Sequence, residues 1–590
     1  MRISDSLRRL ALLAALTAAV PACSRDKAAG GEATAESIDA LSMPSILKSV
    51  PAETPYYFAA VRPLSPEVRA KVVQVMTPVL AAFTRAVKAE LERPIDPADP
   101  GAKGQRAFLE TLAQYASFEG LTRLGFGPEK PFAIYGLGFL PAFRVELADP
   151  GAFKKFFADV EAKAGEPAKV ETLGDQQYWV FGADSQGIAV LALVGDTLVG
   201  GLMPVEAKAM VLPLLLGQAQ PQASLAEGDA LKTLLKGHGL TGHGVGVVDV
   251  RAIVGTLVGE GTGTNADIYK ALSPSMTPMT DVCRAEFKGL ADKAPRLVFG
   301  NQSLTPTEAR VAFTLELEPA LAKMLQGLRA AVPGLSAKTD PSTFFQLGVG
   351  LDVDRAITLA QERAAAVTAA PFQCEQLAGL NEVAAEVTRS LAMATAGPAA
   401  MVRLVRGFSL VVKDLVPPAA QGSAGAPPLG VSGAKAYAAL ATSNPEGVLA
   451  TIKAFVPDLV SLSVAKDGKP VPLPTSGMLG ELTAPHIAMG ESALVLSTGE
   501  GMQAELTALT TAKGDESMPL VVFASDSGRL LNMQLESRAK LSANLPPEQQ
   551  ALEQAELEAT RAVAGAVGHT AFVLTVGDKG LHLTETAVLK

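Results

Sequence analysis

The chain predicts an α+β fold built by tandem duplication of two units, each a mostly antiparallel sheet with helices packed on one face. Three observations predict it. The stretches "FRVELADPGAFKKFFADVEAKAG" from Phe143 and "AYAALATSNPEGVLATIKAFVPDL" from Ala436 share one order: alternating strand, Asp149-Pro150 or Asn444-Pro445, amphipathic helix. "IAVLALVGDTLVGG" from Ile188 and "HIAMGESALVLSTG" from His486 each set a Gly-acid turn between two apolar strands, which is a hairpin signature. The turn glycines, Gly195 and Gly490, follow Pro150 and Pro445 at one and the same interval. Equal spacing of two unlike signals marks a repeat.

Taken in order, each unit opens on a strand that runs into a capped helix, "TPYYFAAVRPLSPEVRAK" from Thr54 and "STFFQLGVGLDVDRAITL" from Ser342. The strand–Pro–helix element follows. Asp or Asn at the N-cap accepts from the first turn, and Pro suits the first helical position because its missing N–H had no partner there. After each hairpin come a helix ("PVEAKAMVLPLLL" from Pro204, "GMQAELTALTTA" from Gly501) and a strand ("HGVGVVDV" from His243, "MPLVVFASD" from Met518). Each unit closes on an alternating hairpin, from Arg296 and from His569. In "ARVAFTLEL" the period of two puts Val311, Phe313 and Leu315 on one face. The expected boundaries are 45–320 and 342–590, with a helical connector at 321–341. Residues 92–104 and 417–433 read as Pro/Gly-rich loops.

A chain of 590 residues exceeds what one core holds, and 48% hydrophobic with 19% charged residues is a globular composition. The net charge is −9. The first residues carry three Arg against one Asp, so the remainder is more acidic still. Without a basic stripe, nucleic acid is not an expected partner.

Arg2, Arg8 and Arg9 precede an apolar run from Leu10 to Val20. At about 1.5 Å per residue this run is too short for a bilayer core of about 30 Å. It fits a secretory leader. The closing Val20-Pro21-Ala22-Cys23 resembles the lipobox of bacterial lipoproteins, with Pro21 an unusual choice at the variable position. The resemblance implies a leader of residues 1–22, cleavage before Cys23, a diacylglyceryl group on its sulfur and an acyl group on its new amine. Ser24 in the next position implies the outer rather than the inner membrane. The alternative is an ordinary secretory leader with an incidental cysteine. Residues 23–44, rich in Ala, Gly, Glu and Ser, read as a flexible tether. The opening "VPAETPYYFAAV" is similar to secreted bacterial proteins of a family of unknown function, a likeness that carries no site.

Cys283 and Cys374 form an even pair in an exported chain, so a disulfide is expected; two separate buried thiols are the alternative. No catalytic, metal or cofactor residues are singled out. Of five histidines, His238 and His243 share a glycine-rich turn without a carboxylate at ligand spacing. Ser45–Lys48 and Ser537–Lys540 match Ser-x-x-Lys but lack its companion motifs. "GEGTGTNAD" from Gly259 has no Lys-Ser/Thr ending and carries Glu260 and Asp267 where a phosphate cradle needs cations. Trp179 and the Phe153, Phe156, Phe157, Val160 face have core spacing.

The chain therefore reads as a lipid-anchored cell-envelope protein with a non-enzymatic binding or scaffolding role. Its expected partners are the membrane through the lipid, and either another envelope protein or an apolar ligand. A carrier of an apolar ligand and a cryptic hydrolase are the other readings. Replacing Cys23 by Ser is expected to move the protein from the detergent phase to the aqueous phase on Triton X-114 partitioning; equal partitioning of both forms would contradict the anchor.

Overall fold

The computed structural model describes residues 38–91, 102–165, 167–182, 187–273, 279–415, 434–475, 482–512, 514–515, 517–542 and 545–590. The leader, Cys23, the loop 417–433 and most of the loop 92–104 lie outside the described residues.

The local signals become the elements they encode. Asp149 accepts hydrogen bonds from the N–H groups of Gly151 and Ala152, at 2.9 and 3.1 Å, and starts the helix Pro150–Ala164. Asn444 accepts from Gly447 N–H at 3.0 Å and starts the helix Pro445–Phe455. Asp249 and Asp526, each ending a strand, cap the next helix by accepting from Ala252 and Arg529.

The strands are β1 (Tyr56–Ala60), β2 (Phe132–Leu137), β3 (Leu140–Glu146), β4 (Lys169–Leu173), β5 (Gln176–Phe181), β6 (Ile188–Val194), β7 (Thr197–Met203), β8 (Val245–Asp249), β9 (Arg296–Leu304) and β10 (Glu308–Glu316). Then follow β11 (Phe345–Val349), β12 (Val405–Asp414), β13 (Lys435–Thr442), β14 (Val471–Pro472), β15 (His486–Met489), β16 (Ala493–Thr498), β17 (Val521–Asp526), β18 (Val567–Gly577) and β19 (Gly580–Leu589).

All 19 belong to one sheet, and the named pairs are antiparallel. The two expected sheets are thus fused. The seam is β10 against β19, with Ala312 opposite Thr584 at its centre. Outward from the seam, one side runs β10-β9-β8-β1-β2-β3-β7-β6-β5-β4. The other runs β19-β18-β17-β11-β12-β13-β16-β15-β14. Ranked within their own halves, the strands follow the same order on both sides, and β4 is the one extra.

A row of directly paired residues crosses the middle of the sheet on one face: Phe143, Ile134, Phe58, Gly246, Phe299, Phe313, Leu583, Leu574, Val521, Val349 and Phe408. Gly246 is required there. A Cβ on it would meet the Phe299 ring at 2.1 Å, and its absence lets Phe58 and Phe299 stack with centroids 6.0 Å apart. Val311, Phe313 and Leu315 do share this face, half-buried, while Ala312 and Thr314 are buried on the other.

Helices cover both faces, which corrects the expectation of one. The adjacent glycines of β7 show it: the side of Gly200 is filled by Phe143 and Leu191, that of Gly201 by Leu215. Leu215 belongs to the helix Lys208–Leu215 and to the core of Leu47, Tyr135 and Leu235. Phe143 and Leu191 pack with Phe153, Phe156 and Phe157 of the helix Pro150–Ala164. The physical reason is in the strands. In β7 the run Thr197–Gly200 is buried residue after residue, as strands covered on both faces are.

Two boundaries shift as well. Leu41, placed in the tether, is buried in the first core beside Ile46 and Leu47. Val332 and Leu335, placed in the connector, are buried against Val522 and Val573. Both segments carry too much apolar surface to remain linkers.

The halves also exchange contacts above the sheet. The helix Pro66–Leu91 packs along the helix Pro547–Ala566, with Arg85 to Glu558 at 2.8 Å and Lys71 Nζ donating to the Lys590 carbonyl at 2.9 Å. No helix among the described residues is long and apolar enough to cross a membrane.

Candidate functional site

The residues singled out for chemistry do not converge. Cys23 lies outside the described residues. Cys283, in the first turns of the helix Asp281–Lys293, is disulfide-bonded to Cys374 across 91 residues of sequence, with Cα atoms 4.7 Å apart. The bond joins the two halves. Glu286 supports it by accepting from the N–H groups of Gln373 and Cys374 at 2.8 and 3.0 Å. Phe287, Phe372 and Leu377 enclose it.

His238 ends the helix Ala230–His238 and lies 3.0 Å from Glu316, which also pairs with Arg296 at 2.8 Å. His243 faces the Arg62 carbonyl at 3.4 Å instead. Ser45 and Lys48 sit in the short helix Ser45–Ser49, and Ser537 and Lys540 on the helix Ser527–Ser542. The glycine-rich loop enters the helix Gly263–Leu272, where the Thr264 N–H donates to Glu53 at 3.0 Å. A carboxylate of the chain itself thus takes the place a phosphate would need. Trp179 stacks on Phe157 at 4.4 Å. Among the described residues no group of three or more His, Cys, Asp or Glu could hold a metal ion.

What the fold does build is a cleft under each of the helices Pro150–Ala164 and Pro445–Phe455. In the first half a cavity of about 800 Å³ lies between Phe157, Val160, Glu161 and Ala164 of the helix and Val180, Phe181, Ala189 and Leu191 of β5 and β6. In the second half a cavity of about 480 Å³ lies between Leu449, Ile452, Val456 and Leu459 and the sheet residues Phe408, Leu440, Ile487 and Leu494. Phe157, Glu161 and Ala164 follow Pro150 at the same intervals at which Ile452, Val456 and Leu459 follow Pro445. The two clefts use the same positions counted from the proline, all helical in the first half and running past the helix end in the second.

Their chemistry differs. The first has charged groups at its lip: Glu161, which accepts from Ala168 N–H at 2.9 Å, and Lys169, paired with Glu171 at 3.0 Å. The helix also lays Phe153, Phe156 and Phe157 against the sheet. In the second half the matching positions hold Val448, Thr451 and Ile452, and the cavity wall is hydrocarbon apart from Ser409 and main-chain atoms. Such a surface can hold an apolar body by burial but offers no group for acid–base or nucleophilic work. A third cavity, of about 660 Å³ beside Phe58 and Phe132, is mixed, and its Lys130 is salt-bridged to Glu146.

The clefts were not read from the sequence. The available signal was Val448, Thr451 and Ile452 standing at the intervals from Pro445 at which Phe153, Phe156 and Phe157 follow Pro150. No protein-family model, no curated protein and no solved structure matches the chain.

The histidines set an acid limit on the fold. Burial holds His238 below the ordinary imidazole value in spite of Glu316 beside it, and burial likewise lowers His243, His569 and His582. His569 is buried with neither ring nitrogen hydrogen-bonded. The unfolded chain therefore takes up protons near the usual imidazole pKa of about 6.5 before the folded chain does. This stability is present above that pH and is lost as pH falls toward the lowered folded values. The urea midpoint is expected to be lower at pH 5.5 than at pH 7.5, with a smaller difference in His569→Phe. A midpoint that rises on acidification would contradict this.

Proposed function

We propose that the protein is an exported, lipid-anchored binding protein of the bacterial cell envelope, built by duplication of one unit. Its cleft beneath the helix Pro445–Phe455 takes an apolar small molecule. The duplication is supported by the shared strand order about the seam and by equivalent caps at Asp149 and Asn444. The anchor is supported by the leader and by Cys23, with the outer membrane as its place.

The observation that carries the binding reading is the hydrocarbon wall of the second cleft. Its volume of about 480 Å³ falls within the range of about 300–1,000 Å³ typical of ligand sites. It is a groove open to solvent, where Phe408 and Ile452 of the wall remain exposed. An apolar molecule seated there removes this exposed hydrocarbon from water. A carrier role accounts for this space, whereas a scaffold needs only surface.

The neutral probe N-phenyl-1-naphthylamine is expected to bind with a rise in fluorescence. Ala438, half-buried on the β13 wall, is the position at which to fill the cleft. Ala438→Phe is expected to weaken probe binding at least tenfold with an unchanged circular dichroism spectrum. Undiminished binding by a folded Ala438→Phe would overturn the assignment.

A further inference from the structure

We infer that the turn after the helix Pro445–Phe455 is a membrane-contacting tip, which enters the headgroup region of a phospholipid bilayer and opens the cleft beneath it toward that bilayer. The inference rests on the lipid-anchored, apolar-ligand reading above.

The helix ends at Phe455, and the short helix Pro457–Leu459 turns the chain back. Phe455 is 75% exposed, more than any other large apolar side chain among the described residues, and Val460 is 65% exposed. Val456 and Leu459, between them, line the cleft. One short segment therefore points apolar groups outward and inward in turn, so its outer surface and the cavity wall are continuous. Between Lys453 and Lys466 the chain carries a single charge, Asp458. Lys453 Nζ turns back onto the Leu462 carbonyl, and Lys466 lies near Glu446 and Glu491 at 3.8 and 3.6 Å. Apart from the exposed Asp458, charge is kept to the base of the tip.

The fold does not require this surface. The same stretch of the first half, counted from Pro150, carries Val160, Glu161, Lys163, Ala164 and Gly165 in place of Phe455, Val456, Asp458, Leu459 and Val460. That copy ends its helix on an αL glycine with charged residues around it, an ordinary wetted end. Only the copy with the hydrocarbon cleft has an apolar tip.

A bilayer is the occupant that fits. Ile38 is the first described residue, and Cys23 precedes it by a short stretch of chain. Even fully extended, the stretch from Cys23 to Ile38 spans only about 50 Å at about 3.5 Å per residue. The anchor thus keeps the body beside the membrane at all times. An apolar ligand is itself held in the bilayer, and an exposed aromatic–aliphatic pair with charges behind it suits the interface, where apolar side chains sink to the acyl boundary.

The test uses the full-length, lipidated chain carrying Phe455→Trp, reconstituted into vesicles of phosphatidylethanolamine and phosphatidylglycerol. The parent, with Trp179 alone, supplies the background. The added indole is expected to shift to the blue and to be quenched at least twofold by lipids brominated in the acyl chains, with Trp179 unaffected. Val460→Trp, exposed on the same tip, is expected to behave alike. Emission from both variants that stays at the water-exposed wavelength and escapes quenching would overturn the inference. The same holds if a blue shift appears without bromolipid quenching, as for a protein partner. If N-phenyl-1-naphthylamine still binds in that case, the cleft assignment survives alone; if it also fails, both fall.

Discussion

The structure depends on the pairing of two strands that end their respective halves. β10 and β19 run antiparallel from Glu308 opposite Val588 to Glu316 opposite Gly580. Apart, each would be the outer strand of a hairpin with alternating apolar residues and a row of unpaired backbone groups, an edge that invites pairing with another chain. Together they satisfy each other and make one sheet of two. On one face the seam sets Phe313 against Leu583; on the other, Thr314 lies 3.0 Å from His582. The free edges that remain are poor templates. β14 is a very short strand that includes Pro472, and β4 carries Lys169 and Glu171.

The seam brings the helices of one half within reach of the other. Pro66–Leu91 lies along Pro547–Ala566, and the Cys283–Cys374 bond with Glu286 joins the first half to the second. Cross-linking over so long a loop removes freedom from the unfolded chain, by up to about 4–5 kcal/mol in the chain-entropy account. The halves are thus joined by strands, helices and one covalent link, while each keeps hydrophobic cores of its own.

Much of the local structure was legible. Asp149-Pro150 and Asn444-Pro445 announce their helices, and the Gly195 and Gly490 turns their hairpins, because caps and turns are decided by residues close in sequence. The seam was not legible, since alternation in "ARVAFTLEL" shows that a strand has two faces and not which strand lies beside it. The second helical layer was missed because the alternation of "ARVAFTLEL" was extended to the whole sheet, although "TLVGG" is an unbroken apolar run. Leu41 and Val332 were placed in linkers because the polar, small-residue composition of 23–44 and the turn residues ending 321–341 outweighed single apolar side chains that tertiary packing recruits. Of the candidate site, the sequence held only the exchange of Phe153, Phe156 and Phe157 for Val448, Thr451 and Ile452, and the almost uncharged stretch from 454 to 465. Neither means anything until the fold sets the helix over the sheet. Under its helix the first half bears aromatic filling and a charged lip, the second an apolar cleft and an apolar tip, so halves with the same strand order differ in side chains and in how the helix ends.

The central claim is that the halves are one cooperative sheet joined through β10 and β19. Amide hydrogen exchange read by mass spectrometry across a urea series tests it most directly. The account predicts that peptides covering 296–316 and 567–589 are among the slowest to exchange and lose protection together at one urea concentration. Early exchange of either peptide while the other stays protected, or seam strands exchanging as fast as β4 and β14, would contradict it.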